Sequence, residues 1–264
     1  MKLAVLVSGG MDSTVAYRLG VTKYGIDNVA PVFVNYDQPY FEKEQWALIE
    51  LENDGVVPNI RMFGADLCDE RLDNVPTVDK QEIYGRNLLV SFYGAILSGR
   101  VWLSCLENEM QWPTRNTVPD KSHDFLLAAS TLYTIIFKNK RLRTIVESPF
   151  ANMTKSDVIE MGLSLGLTQD QLLKTVSCYE PQVSPGSPMH CGKCMPCVKR
   201  FIAWINNDFS LEKVWADFAV SPLHSPVMHD IVERMRNKDP HYTKKRYQET
   251  EAMFRKLGKE GMLS

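Results

Sequence analysis

Between Lys2 and Leu165, short apolar runs alternate with segments of helical spacing, and few folds absorb such an alternation. Lys2–Val7 reads as a buried strand, and Val29–Asn35, Ile60–Phe63, Val101–Leu106 and Leu142–Glu147 as further strands. Asp12–Tyr24, Phe41–Asp54, Asn87–Ser98, Ser122–Phe137 and Lys155–Leu165 read as the helices between and after them. The pattern predicts an α/β fold, a doubly wound parallel sheet covered on both faces. Ligands of such sheets gather at the carboxyl ends of the strands. The loops after Val7, Asn35, Phe63 and Leu106 are therefore expected to line a site.

The first of these loops is Ser8-Gly9-Gly10-Met11-Asp12-Ser13. Its glycines allow a tight turn and close backbone approach, and the helix that follows contributes free N–H groups and the positive end of its dipole. Ser8 and Ser13 add hydroxyl donors. The loop is built to receive an anion, yet it lacks the lysine of the familiar phosphate loop. Asp12 is out of place beside an anion unless it binds Mg²⁺ or polarises the loop.

A second motif lies near the other end. Cys178, Cys191, Cys194 and Cys197 are spaced C-x12-C-x2-C-x2-C, and two residues between thiols let the chain curl around one tetrahedral ion. Four thiolates leave no open position for water, so the expected site is a structural zinc. Such a site supplies roughly 10–16 kcal/mol of folding free energy, enough to order a loop without a core. An iron–sulfur cluster takes the same ligand set and stays open at this point. His190 reads as a bystander, and Cys68 and Cys105 as inert thiols.

Composition narrows the partners. A net charge of -2 and a pI near 6.2 supply no general basic field for nucleic acid or an anionic membrane. The apolar run before Ser8 is too short for a signal segment, and no stretch of about 18 apolar residues follows. Clustered thiols suit a reducing compartment, so the expectation is a cytoplasmic protein.

The loop resembles the SGGxDS signature of the PP-loop ATP pyrophosphatases. Combined with SCYEP…CGKCMPCVKR it resembles the QueC family of 7-cyano-7-deazaguanine synthases. Gly85-Arg86-Asn87-Leu88-Leu89, Ser148-Pro149-Phe150 and the block Thr154 to Gly162 match further family stretches, and the likeness runs from about Lys2 to Ala203.

The resemblance implies ATP cleavage between the α and β phosphates, with AMP passed to a substrate oxygen. The family's substrates are 7-carboxy-7-deazaguanine, ATP and ammonia, and its product is 7-cyano-7-deazaguanine. Val7, Ser8, Gly9, Gly10, Met11, Asp12, Ser13 and Thr14 would bind ATP, joined by Arg86 and Asn87. Asp12, as Mg²⁺ partner, and Lys155, as a neutraliser of phosphate charge, would be catalytic. Tyr36, Gln38, Asp120 and Phe125 would face the base. Free ammonia is expected, because no Cys-His-Glu glutaminase segment is recognisable, and relatives commonly form homodimers.

The family's YGQRH stretch is here Tyr36-Asp37-Gln38-Pro39-Tyr40, and the loop Asn108–Val118 carries Trp112 and Arg115 in an unusual pattern. Two other readings stand beside the main one: a ligase joining the activated carboxylate to another amine, such as one on a protein, and a PP-loop tRNA-modifying enzyme.

The expected organisation is an ATP-binding α/β domain at 1–170, a four-cysteine zinc subdomain at 171–207 with a helix over Val198–Asn206, and a helical extension at 208–264. In that extension Lys244-Lys245-Arg246 is expected to be a solvated helix face.

Overall fold

A computed structural model describes residues 1–65, 85–110, 119–180, 190–239 and 242–262; Cys68, Trp112 and Arg115 lie outside them. The strands are β1 (Leu3–Leu6), β2 (Val29–Asn35), β3 (Arg61–Gly64), β4 (Arg100–Trp102) and β5 (Ile145–Glu147). They form one parallel sheet in the order β3-β2-β1-β4-β5. The chain leaves β1 toward β2 and β3, then returns to place β4 on the other side of β1. That reversal opens a crevice at the carboxyl end of β1.

The helices are α1 (Met11–Tyr24), α2 (Phe41–Asn53), α3 (Arg86–Leu97), α4 (His123–Ile136), α5 (Lys155–Ser164), α6 (Gln169–Leu173), α7 (Met195–Asn206), α8 (Leu211–Ala216), α9 (Pro226–Arg236) and α10 (Lys244–Lys256). Successive side chains of β1 serve opposite faces, as the pleat requires. Leu3 and Val5 join Val15 of α1, Leu51 of α2 and Ile159 of α5 in one core. Ala4 faces the other way, toward Leu89 and Val90 of α3, and Val101 of β4 packs with Ala129 and Tyr133 of α4.

Expected and observed strands coincide closely, except that β5 begins at Ile145 rather than Leu142, which is fully exposed, and β4 ends at Trp102 rather than Leu106. There the backbone leaves the ladder: Cys105 N–H donates to Leu103 O at 3.0 Å and to Ser148 Oγ at 3.1 Å. Helices α6 and α8 were not expected, since segments of 5 and 6 residues are too short to show a period.

The tail shares the main core. Phe201 and Trp204 of α7, Ile231 of α9, and Met253 and Phe254 of α10 are all fully buried within the cluster that contains Val15 and Ile159. Among the described residues no helix is long and apolar enough to cross a membrane.

Candidate active site

The turn after β1 sits in the crevice. Val7 N–H still donates to Val32 O at 2.8 Å, after which Gly9 turns the chain with φ +68. A Cβ at Gly9 would also stand 2.9 Å from both Glu44 O and Ala47 Cβ of α2, so a larger residue is excluded twice. The first i→i−4 bond of α1 runs from Thr14 N–H to Gly10 O at 3.1 Å. The N–H groups of Met11, Asp12 and Ser13 precede it and are not consumed by the helix. Ser13 Oγ accepts from Ser8 N–H at 3.2 Å and donates to Gly10 O at 3.0 Å, bracing the turn from within. Val7, Ser8, Gly10, Met11, Asp12 and Ser13 line the cleft. Gly9 stands behind it, and Thr14 is buried with its hydroxyl on Gly10 O at 2.9 Å.

Opposite the turn, α5 begins with Lys155. Thr154 and Asp157 form a capping box that sets this start, and Lys155 Nζ reaches Asp12 Oδ2 at 2.8 Å. The other Asp12 oxygen, Oδ1, is buried with no hydrogen-bond partner. A buried carboxylate oxygen left open beside an anion-shaped turn suits a bridging divalent cation. Ser104 Oγ, likewise buried and unpaired, lines the same cleft.

Further charged groups meet there from distant segments. Arg86, Lys121, Lys199 and Glu109 all line the cleft. Glu109 pairs with Lys121 at 2.9 Å. Burial alone would raise the Glu109 carboxyl, but Lys121, Lys199 and the Leu106 N–H hold it down to about 2. Burial, reinforced by Arg246, brings the Lys199 ammonium down to about 7. Sequence reasoning missed Lys121, Lys199 and Glu109. The cue was faint: Lys121 follows Asp120, and Lys199 lies inside the CVKR stretch.

The neighbouring wall is aromatic. Tyr36 and Tyr40 share a hydroxyl–hydroxyl contact of 3.2 Å, Arg86 donates to Tyr40 OH at 3.2 Å, and the Tyr40 and Tyr179 rings lie 5.2 Å apart. Glu44 of α2 completes the wall, and burial pushes its carboxyl up to about 8 despite the Gln38 amide and Arg86. Gln38 faces inward: its Oε1 accepts from Tyr36 N–H at 3.0 Å and its Nε2 donates to Glu44 Oε2 at 2.5 Å. Asn87 lines the cleft and ties back to Asp120, donating from Nδ2 to Asp120 O at 3.1 Å. Asp120 keeps a buried, unpaired Oδ1 outside the cleft lining. Phe125 packs into the core between α3 and α4.

The four cysteines converge at the edge of the cleft, which Cys178 also lines. Their Sγ atoms lie within 4.8 Å of one another, with Cys194–Cys197 at 3.3 Å and Cys191–Cys197 at 3.9 Å. Sulfurs about 2.3 Å from one tetrahedral ion stand about 3.8 Å apart, so the set fits a single metal ion. Gly192, with φ +77, passes so near Val220 that a Cβ would meet its carbonyl oxygen at 1.9 Å. Behind the thiols, Arg200 is fully buried and donates to Asp217 Oδ2 at 2.6 Å, to Thr175 Oγ1 at 2.9 Å and to Leu173 O at 3.0 Å. His190 accepts from Ser177 N–H through Nε2 at 3.0 Å, and its Nδ1 lies 2.9 Å from Asp217 Oδ1 without hydrogen-bond alignment.

The chain is also similar in sequence to known proteins. The family described as queuosine biosynthesis protein QueC matches residues 2–208. The chain is 28% identical to the 7-cyano-7-deazaguanine synthase of Persephonella marina over 81% of its own length and 95% of the relative's. It is 28% identical to the synthase of Methanothermobacter thermautotrophicus, over 76% of this chain and 92% of that protein. Identity to 7-cyano-7-deazaguanine synthase 2 of Sulfurisphaera tokodaii is 26%, over 77% of this chain but 45% of that longer protein.

Proposed function

We propose that this chain, which belongs to the QueC family, is a carbon–nitrogen ligase that converts 7-carboxy-7-deazaguanine into 7-cyano-7-deazaguanine at the expense of ATP. The observation that carries the reading is the lysine-free turn at the switch point of the sheet, with Lys155 Nζ held 2.8 Å from Asp12 Oδ2 at its mouth.

A carboxylate resists attack because oxide is a poor leaving group. Transfer of AMP to the carboxylate oxygen releases pyrophosphate and makes AMP the leaving group. Ammonia then forms the amide, expelling AMP and a proton. A second ATP activates the amide oxygen in the same way, and loss of AMP and a proton leaves the nitrile. Both activations ask for one anion cradle, so a single site serves twice.

The residues divide the work by position. The N–H groups of Met11, Asp12 and Ser13 grip the departing pyrophosphate, and Lys155 offsets the charge that develops as the α–β bond breaks. Asp12, through its open Oδ1, would hold the Mg²⁺ that accompanies ATP. Tyr36, Tyr40, Arg86 and Tyr179 form the wall on which a flat, purine-like base lies. Arg86 and Lys121 hold their charge near the carboxylate end, since neighbouring phenols and Glu109 respectively outweigh the cost of burial.

The metal is proposed to be zinc. A filled thiolate shell gives it no reactive position, so it orders the segment that brings Cys178, Tyr179 and Lys199 to the cleft. An iron–sulfur core would need its sulfurs spread more widely than around one ion. Mass spectrometry of a reaction with 7-carboxy-7-deazaguanine, ATP, Mg²⁺ and ammonia tests the proposal. The nitrile is expected; its absence from well-folded protein would retire it.

A further inference from the structure

The family match ends at residue 208, yet the last long helix beyond it, α10, holds the start of α5, whose Lys155 lines the cleft. Helix α10 lies along α7, anchored by fully buried Met253 and Phe254, and extends a polar edge over the start of α5. There Glu249 Oε1 accepts from Ser156 N–H at 2.8 Å and from Ser156 Oγ at 2.7 Å. Ser156 is the neighbour of Lys155. Its N–H is one of the orphan donors of a helix start, and the capping box uses a different one, that of Asp157. A carboxylate placed there also complements the helix dipole.

Other bonds close the clasp. Asn206 Nδ2 donates to Ser156 Oγ at 3.0 Å and to Glu249 O at 2.9 Å, while Asn207 Nδ2 donates to Ser156 O at 3.1 Å. Lys245 Nζ donates to Asn152 O in the segment leading into α5. At the near end of α10, Thr243 Oγ1 donates to Glu107 Oε2 at 2.9 Å, in the turn that carries Glu109. One helix and its N-cap therefore grip two of the segments that deliver charge to the cleft, the one carrying Lys155 and the one carrying Glu109.

We propose that α10 is a positioning element of the cleft, and that Glu249 fixes the first turn of α5 so that Lys155 Nζ meets Asp12. Glu249 does not line the cleft and acts only through Lys155. The idea rests on the proposed reaction for its rate readout, and amide exchange provides a readout that does not.

The experiment is a double-mutant cycle between Glu249 and Lys155, followed by pyrophosphate release at saturating ATP and by hydrogen exchange. Glu249→Ala should lower kcat about tenfold or more, the scale of a displaced catalytic group, with little change in KM for the deazaguanine. In a Lys155→Ala background the same change should cost almost nothing. Glu249→Gln, which keeps an acceptor oxygen, should recover most of the rate and covers the case in which the alanine variant folds poorly. Amides at 155–158 should exchange faster in Glu249→Ala whatever reaction the protein runs. Unchanged kcat, an equal fractional loss in both backgrounds, or unchanged exchange at 155–158 would each overturn the proposal. Wild-type protein that releases no pyrophosphate would instead count against the proposed reaction, with the exchange comparison still deciding the role of Glu249.

Discussion

Lys155 Nζ lies 2.8 Å from Asp12 Oδ2, joining the first turn of α5 to the first turn of α1 across 143 residues of sequence. The pair sets a cation and an anion side by side at the mouth of an anion-shaped turn. Neither side chain is exposed enough for the contact to count as an ordinary surface pair, with 11% and 21% of each accessible. In the proposed reaction its meaning is positional, with Lys155 held where phosphate charge would develop.

Lys155→Ala should therefore lower kcat by about 10²–10³, the usual cost of one transition-state donor, and leave KM for the deazaguanine nearly unchanged. Lys155→Arg should recover part of the rate. Steady-state pyrophosphate release measures both. An equal loss in KM alone would mean that Lys155 only binds ground-state nucleotide.

Asp12→Asn should shift the magnesium dependence of the rate to higher concentrations, because the open Oδ1 loses its charge. A magnesium titration of pyrophosphate release gives the answer. An unshifted midpoint would remove Asp12 from the cation's shell.

Glu44 makes a prediction about pH. Its folded carboxyl is raised to about 8 by burial, whereas its unfolded value is near the ordinary 4.5. Between those values the folded state holds a proton that the unfolded chain has lost. The group's contribution is thus complete below pH 4.5 and fades as pH rises to 8, at a slope of about 1.4 kcal/mol per pH unit. Glu44→Gln should flatten that slope, so that its stability relative to wild type improves from pH 5 to 8 in urea unfolding. A variant whose difference from wild type is constant with pH would show that Glu44 titrates normally.

Gly192→Ala should be among the most damaging single substitutions, costing about 3 kcal/mol or more through its positive φ and a Cβ driven onto Val220 O. It should lower the melting temperature and the metal content together. Full metal occupancy with an unchanged melting curve would contradict the close approach.

Metal analysis should find one zinc per chain without acid-labile sulfide, and a strong chelator or Cys197→Ser should destabilise the fold by several kcal/mol. Iron with visible charge-transfer absorption would replace the zinc assignment with a cluster.

Much of this architecture is legible in the sequence, for identifiable reasons. Strands such as Val29–Asn35 are buried along nearly their whole length, so they stand out in the residue order as short apolar runs bounded by polar turns. The glycine turn and the thiol spacing are local chemistry and can be read directly. The charged floor of the cleft is different. Lys121, Lys199, Glu109 and Glu44 come from a short turn, α7, another turn and α2, and only tertiary packing brings them together. Gln38 looks like a substrate ligand in the sequence, but its amide is engaged by Tyr36 N–H and Glu44. The role of the tail was hidden for a related reason. Glu249 sits on a polar helix face like any solvated glutamate, and nothing in its neighbours along the chain points to Ser156.

The most direct test follows the phosphates. In a reaction with 7-carboxy-7-deazaguanine and ammonia, nucleotide products should be AMP and pyrophosphate in equal amounts, rising together with the nitrile and lost in Lys155→Ala. Appearance of ADP and orthophosphate instead would contradict a turn that holds the terminal phosphates while AMP is transferred.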